Sequence, residues 1–254
     1  MTHSVDRVPL QPLADAPQAI SGHELILELE DRYAVLADKT LQHNPFWRAL
    51  VDRPMETPDR IYFGLCLENY QLLVRESYFD APALPYPGNE TVRRLLNEFY
   101  CEELGHDRLL LQSLEAIGLS EAALSKSIAL PGTMALCNAL SYWARHDPLF
   151  FLTTLGPLEG REVEIDSYVV AARQKGLPAE FVGPIAKHAG INKDAGHGAL
   201  TRQIFAAIPS ISVQDSRRLH RQTELFVAIY DRFYRDIWAY YSSDAPMLRR
   251  VDAL

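Results

Sequence analysis

The sequence predicts an all-α protein, a compact bundle of roughly six to eight helices. Three observations carry that expectation. Apolar residues recur at three and four spacing over six long segments; Pro, Gly, Asn or Asp bounds each of them; and no run alternates β-branched with polar residues between turn signals.

Residues 1–22 hold Pro9, Pro12 and Pro17 with little periodicity, and read as a loosely docked arm ending near Ser21 and Gly22. Residues 23–254 read as a single helical domain, a length sufficient to bury a core without disulfide or metal staples. The periodic segments run over 23–42, 58–79, 89–117, 133–174, 178–207 and 213–242, with a break expected near Gly190. TPDR opens the second, PYPGNE separates the second from the third, and LPGT precedes the fourth, each putting Pro or Gly where a helix must stop or start.

Composition narrows the function classes. Acidic residues outnumber basic ones, 33 to 25, for a formal charge of -8, and no Lys/Arg cluster appears, which argues against nucleic acid. Cys66, Cys101 and Cys137 are odd in number and far apart, so they form neither a disulfide framework nor a zinc pair. No apolar stretch is long enough for a membrane span, and the start lacks the layout of a signal peptide. A cytoplasmic protein with no membrane partner is the expectation.

Two histidines carry an acid three positions earlier: Glu103 before His106 in EELGH, and Asp194 before His197 in KDAGH. On a helix this spacing places both side chains on one face, so that the pair can chelate one ion or straddle two. Carboxylate with imidazole suits iron or manganese, and helix bundles build dinuclear sites from facing helices. By chance alone about one of the eight histidines would have such an acid, so spacing by itself is a mild signal. Phe99, His106 and Leu110 share an apolar stripe with Glu103, which puts Glu103 inside, where an unpaired charge is costly. The plain alternative is a surface Glu beside a core His. For Asp194 the plain alternative is a helix restart in which Asn192 caps and Asp194 favours the first turn.

The fourth segment supplies a further acid. Glu159 ends the apolar run FFLTTLGPL, and Glu162 shares its face, while Glu164 and Asp166 read as a surface patch with Arg161 and Arg173.

NEFYCEELGHDRLLL, PLEGREVE and KHAGINKDAGHGAL together resemble the haem-oxygenase-like di-iron oxidases and oxygenases, as does HNPFW at 43–47. The likeness spans most of residues 40–240. It implies a haem-oxygenase-like bundle that binds Fe(II), with two irons of which the second is weakly held. O2 would be the co-substrate, and the substrate a small carboxylate or amino-acid-like molecule in a biosynthetic pathway. The outcome would be N-oxygenation, oxidative decarboxylation or C–C or C–N cleavage. A homodimer is also implied. On the family's pattern the ligands would be Glu103, His106, Glu159, Asp194 and His197, with Glu162 and His188 as secondary candidates. Many members carry a histidine seven residues before the last ligand; Gly190 stands there, and His188 lies two residues upstream.

Three rivals remain open at this level. Metal-independent relatives are thiaminase-like or resemble pyrroloquinoline-quinone synthase; the thiaminase-like kind would use Cys137 with Glu159, although MALCNALSYW offers no base to activate the thiol. A haem enzyme would need one axial imidazole, such as His43, and leave the acids unexplained. A non-catalytic binding protein would leave the acids on the surface. Tyr62, Tyr70, Tyr142 and Tyr230 are candidate pocket walls, each more simply a core ring, and Arg75 is a candidate carboxylate clamp, more simply a solvated arginine.

Overall fold

A computed structural model describes residues 19–86, 88–159 and 166–250, apart from the side chains of Leu41, Gly198 and residues 193–195. Twelve α-helices account for most of them. α1 (Gly22–His43) opens on a capping box, in which Ser21 accepts from the Glu24 N–H and the Glu24 carboxylate reaches back to Ser21. β1 (Ala19–Ile20) pairs antiparallel with β2 (Ile211–Ser212), so the chain is tied down three residues before that helix begins. α2 (Pro45–Asp52) is capped by Asn44, whose Oδ1 accepts from Phe46 N–H while its amide holds Asp231. HNPFW is thus a helix junction, with His43 on the surface rather than in a pocket for a haem.

α3 (Asp59–Leu73) is followed by two 3-10 turns, Glu76–Tyr78 and Ala81–Ala83. The expected segment 89–117 divides into α4 (Glu90–Glu103) and α5 (His106–Ala116), because Gly105 adopts a left-handed φ of +94°. After the short α6 (Glu121–Leu124), the expected segment 133–174 divides into α7 (Pro131–His146), α8 (Pro148–Leu158) and α9 (Ser167–Lys175). The α7–α8 break lies at Asp147-Pro148, where Asp147 accepts from Phe150 N–H and Pro148 takes the first turn.

α10 (Ala179–Ala195) runs through Gly190, contrary to the expected break there, and stops at Gly196, whose φ is +72°. Nothing crowds Gly190 or demands an unusual φ of it, whereas only a left-handed residue turns the chain into α11 (His197–Ala206). Asn192 therefore sits inside α10 and is not a cap.

α12 (Val213–Tyr241), capped by Ser212, is the spine against which α1, α2, α3 and α7 pack. Gly64 of α3 lets the ring of Tyr241 lie on the backbone, since a Cβ there would meet it at 2.2 Å. α8 is apolar and buried almost all round, the mark of a central helix. α10 lies along α5, and α11 lies against α8 and α4, which brings the ends of α4, α8 and α10 and the starts of α5 and α11 toward one interior region. No described helix is long and apolar enough to cross a membrane.

Candidate metal centre

Glu103 is the last residue of α4 and is 2% exposed. His106 opens α5 and His197 opens α11, both buried. The carboxylate divides itself between them: His106 Nδ1 lies 2.6 Å from Glu103 Oε2, and His197 Nδ1 lies 2.8 Å from Glu103 Oε1. Neither approach is aligned as a hydrogen bond. Among the described residues, both Glu103 oxygens, both of these imidazole nitrogens and His188 Nε2 have no hydrogen-bond partner. Buried donors and acceptors are nearly always satisfied, so this convergence of five unsatisfied ligand atoms fits a bound cation.

The ligand atoms fall into two groups that share Glu103. Glu103, His106 and His188 offer atoms within 4.8 Å of one another, and so do Glu103, Glu159 and His197. Glu103 is the member common to both groups. His188 reaches the site from the middle of α10, its ring centroid 4.8 Å from that of His106. Glu159 follows α8, whose end is tied to α11 by the Gly156 N–H donating to Thr201 Oγ1 at 2.8 Å. Its Oε2 accepts from Asn192 Nδ2 at 2.8 Å.

The same-face expectation for Glu103 and His106 is corrected in its local geometry. The two residues do not share a helix; they flank a left-handed glycine, and Asp194 and His197 flank another. Acid-x-Gly-His occurs twice, at Glu103–His106 and Asp194–His197, and both times the glycine turns the histidine into the first residue of a new helix. The Asp194 side chain and the whole of Glu162, Glu164 and Arg161 lie outside the described residues.

Charge around the site is strongly one-sided. Burial opposes ionisation of Glu103, but the two imidazoles outweigh it and hold the carboxyl down at about 2. Burial likewise opposes charging of His197, and Glu103 with Glu102 holds its pKa above the ordinary value. For His188 the balance goes the other way: desolvation, reinforced by His106 and His197 and opposed by Glu103, lowers it to about 4, so it is neutral and free to ligate. Desolvation pushes Glu159 well up, aided by Glu103 and Asp80.

Three contributors escaped the sequence reading. Glu102 places Oε2 2.9 Å from His197 Nε2, the nitrogen that faces away from Glu103, and so sets the ring's tautomer and orientation. Half-buried Glu76, opening the first 3-10 turn, and buried Asp80, just before the second, bring further carboxyls close by. Desolvation, then Asp80, Glu103 and Glu159, pushes Glu76 up to about 10, and Asp80 is raised by burial and by Glu103. Among the described residues, Glu76, Asp80, Glu103 and Glu159 have no Lys or Arg partner, so the charge must be met by protons or by a cation. The only sequence trace of the second pair is two acids four apart in RESYFD, between the end of α3 and Pro82.

Fold and site together define a helical protein with an interior carboxylate and histidine cluster. The profile of the iron-containing redox enzyme family matches residues 79–231, which is more than half of the chain, and the chain belongs to that family. Among solved structures, it is similar to a domain of unknown function with a heme oxygenase-like fold from Shewanella denitrificans OS217. The TM-score is 0.69 at 18% identity, covering 87% of this chain and 97% of that one. It is also similar to a TenA homologue from Pseudomonas syringae pv. tomato, with a TM-score of 0.64 at 14% identity, covering 93% of this chain and 100% of that one. At such identities the likeness establishes the heme oxygenase-like fold. No curated protein matches the sequence significantly.

Proposed function

We propose that the protein is an O2-activating non-haem di-iron oxidase or oxygenase acting on a small carboxylate or amino-acid-like substrate. The observation that carries this reading is the shared position of Glu103, whose two unsatisfied oxygens face different histidines in two ligand groups. Glu103, His106, His188, Glu159 and His197 would hold the Fe(II) pair, with Asp194 as the further ligand that the family resemblance implies. Bound iron would supply O2 binding and the electrons for its reduction.

The chain's own residues do the rest. Glu102 keeps His197 Nε2 protonated and its Nδ1 turned inward, and Asn192 fixes one oxygen of Glu159. Phe99, whose ring packs edge-on to His197 at 5.2 Å, and the apolar faces of α5 and α8 exclude water, which strengthens every charge interaction inside. Glu76 and Asp80 hold protons beside the site, where a reaction that consumes O2 requires them. A cytoplasmic homodimer serving a biosynthetic pathway is part of the same reading.

The metal-independent alternative finds less support. Burial pushes the Cys137 thiol up, against the pull of Arg75, and its described side-chain neighbour is Ser141 rather than a base. The TenA homologue shares the fold, which by itself does not choose between the chemistries.

Anaerobic loading with Fe(II) followed by metal analysis is expected to give about one to two irons per chain. His106→Ala and His197→Ala are each expected to abolish the optical transient that follows O2 addition, with the helical circular dichroism unchanged. Loading of wild-type protein with no iron, or full transients in either variant, would overturn the assignment.

A further inference from the structure

Outside the metal centre, one face of α7 and the turn after α3 enclose a groove of about 410 Å³. Arg75 and Tyr78 form one wall; Ser141, Tyr142 and Arg145 form the other, with Cys137 between. The α7 residues recur at four-residue intervals, Cys137, Ser141 and Arg145, so they lie along a single strip of the helix. The groove is cationic in an acidic chain: no Asp or Glu lines it, and neither Arg75 nor Arg145 has an ion pair among the described residues. Asp147, just past the end of α7, is already engaged by Arg218 and Gln222.

Arg75 is also held ready. Its Nη1 donates to Gln71 O at 2.5 Å and to Gln71 Oε1 at 2.8 Å, and the buried Gln71 is anchored in turn through Nε2 to Ser127 Oγ at 2.6 Å. One nitrogen of the guanidinium is pinned, while Nε and Nη2 are left without a partner among the described residues. A pre-positioned, half-buried guanidinium loses little entropy on meeting an oxyanion, which is why Arg serves such sites. Two large rings stand open beside it, Tyr78 at 59% and Tyr142 at 61% exposure, and Tyr142 lies 4.8 Å from the His146 ring. Isolated exposed rings call for no explanation, but two flanking an unpaired arginine fork make a wall for a flat body.

We propose that this groove binds a small organic anion, a carboxylate or phosphate ester carrying an aromatic or conjugated body. Arg75 and Arg145 would take the oxyanion, and Tyr78 and Tyr142 would clasp the ring. The proposal does not depend on the metal reading, since none of its residues belongs to the metal centre.

The test is titration calorimetry of the full chain with benzoate, phenyl phosphate and inorganic phosphate, at low and high salt. Saturable binding of benzoate or phenyl phosphate is expected, weakened about tenfold by Arg75→Met and by Arg145→Met, and weakened by Tyr142→Ser. Arg48→Met, on α2, should leave it unchanged. Inorganic phosphate should bind more weakly than phenyl phosphate, because it lacks the ring. If Arg75→Met disturbs folding, Arg145→Met decides the matter, since Arg145 is exposed. Which of the two organic anions binds better separates a carboxylate site from a phosphate-ester site. Absence of saturable binding, or binding indifferent to both arginine changes, overturns the proposal; phosphate binding as tightly as phenyl phosphate overturns the assignment of the aromatic walls. Iron content, measured on the same variants, should be unaffected, which keeps the outcome separate from that of the metal centre.

Discussion

Glu68 and Glu103 are both buried glutamates, 1% and 2% exposed, in the same helical bundle, and their surroundings are opposite in kind. Glu68 of α3 is surrounded by donors. Its Oε2 accepts from the Leu130 N–H at 2.9 Å and from the Thr133 hydroxyl, and its Oε1 accepts from Tyr241 O–H at 2.9 Å. The result is a knot joining α3, α7 and α12 with no polar atom left over. Glu103 meets two imidazole nitrogens at comparable range and makes no aligned hydrogen bond with either. Burial alone therefore does not mark a functional acid. A buried acid answered by neutral donors is a structural joint, and one answered by unsatisfied ligand atoms asks for a cation.

The comparison can be broken by experiment. The largest effect is expected at Glu103: Glu103→Gln should weaken iron retention by more than about a hundredfold, because both ligand groups lose their shared member. The same variant, metal-free, should keep its helical circular dichroism. Glu68→Ala should do the reverse. It strands three donors and opens a void, costing about 3–5 kcal/mol and lowering the melting temperature by about 10 °C, while the protein that remains folded loads iron normally. Iron loss in Glu68→Ala with unchanged melting would erase the distinction.

A smaller effect separates holding a metal from orienting a ligand. Glu102→Ala should reduce iron affinity about tenfold without changing the final iron count, since Glu102 acts through His197. An unchanged affinity would reduce Glu102 to a surface acid. The smallest effect is a pH dependence at the structural joint. Burial raises the Glu68 pKa from 4.5, against the pull of Thr133, Leu130 and Tyr241. A folded-state pKa above the unfolded one means that the stabilising contribution is complete below 4.5 and is lost as the pH rises above it. Glu68→Gln, which cannot ionise, should gain on the wild type in urea unfolding between pH 5 and pH 7; parallel curves would show that Glu68 carries no such dependence.

How legible all this was depends on the residue. The α1 and α12 boundaries followed from periodicity; the Ser21 and Ser212 caps that fix their first residues are local contacts seen in the structure. Gly105 and Gly196 were harder. A glycine inside a periodic stretch can be helical, as Gly190 is, or left-handed, as these two are, and the difference is set by which packing arrangement the rest of the chain stabilises. Glu103 and His106, paired by spacing, do meet, but across a helix break rather than on one continuous helix. Glu76, Asp80 and Glu102 carried almost no signal, since acids near helix ends are common and what distinguishes these three is the site they face.

By itself, the amino-acid sequence determined the all-helical class, the acidic character and the identity of the chemically capable residues, because each of these depends on composition or on neighbours within a turn or two. Tertiary structure alone decided that Glu103 stands between His106 and His197, that His188 rather than residue 190 reaches the cluster, and that Asn192 holds Glu159. Those contacts join residues up to 94 positions apart, and their geometry is set by how α4, α5, α8, α10 and α11 pack, which no local pattern encodes.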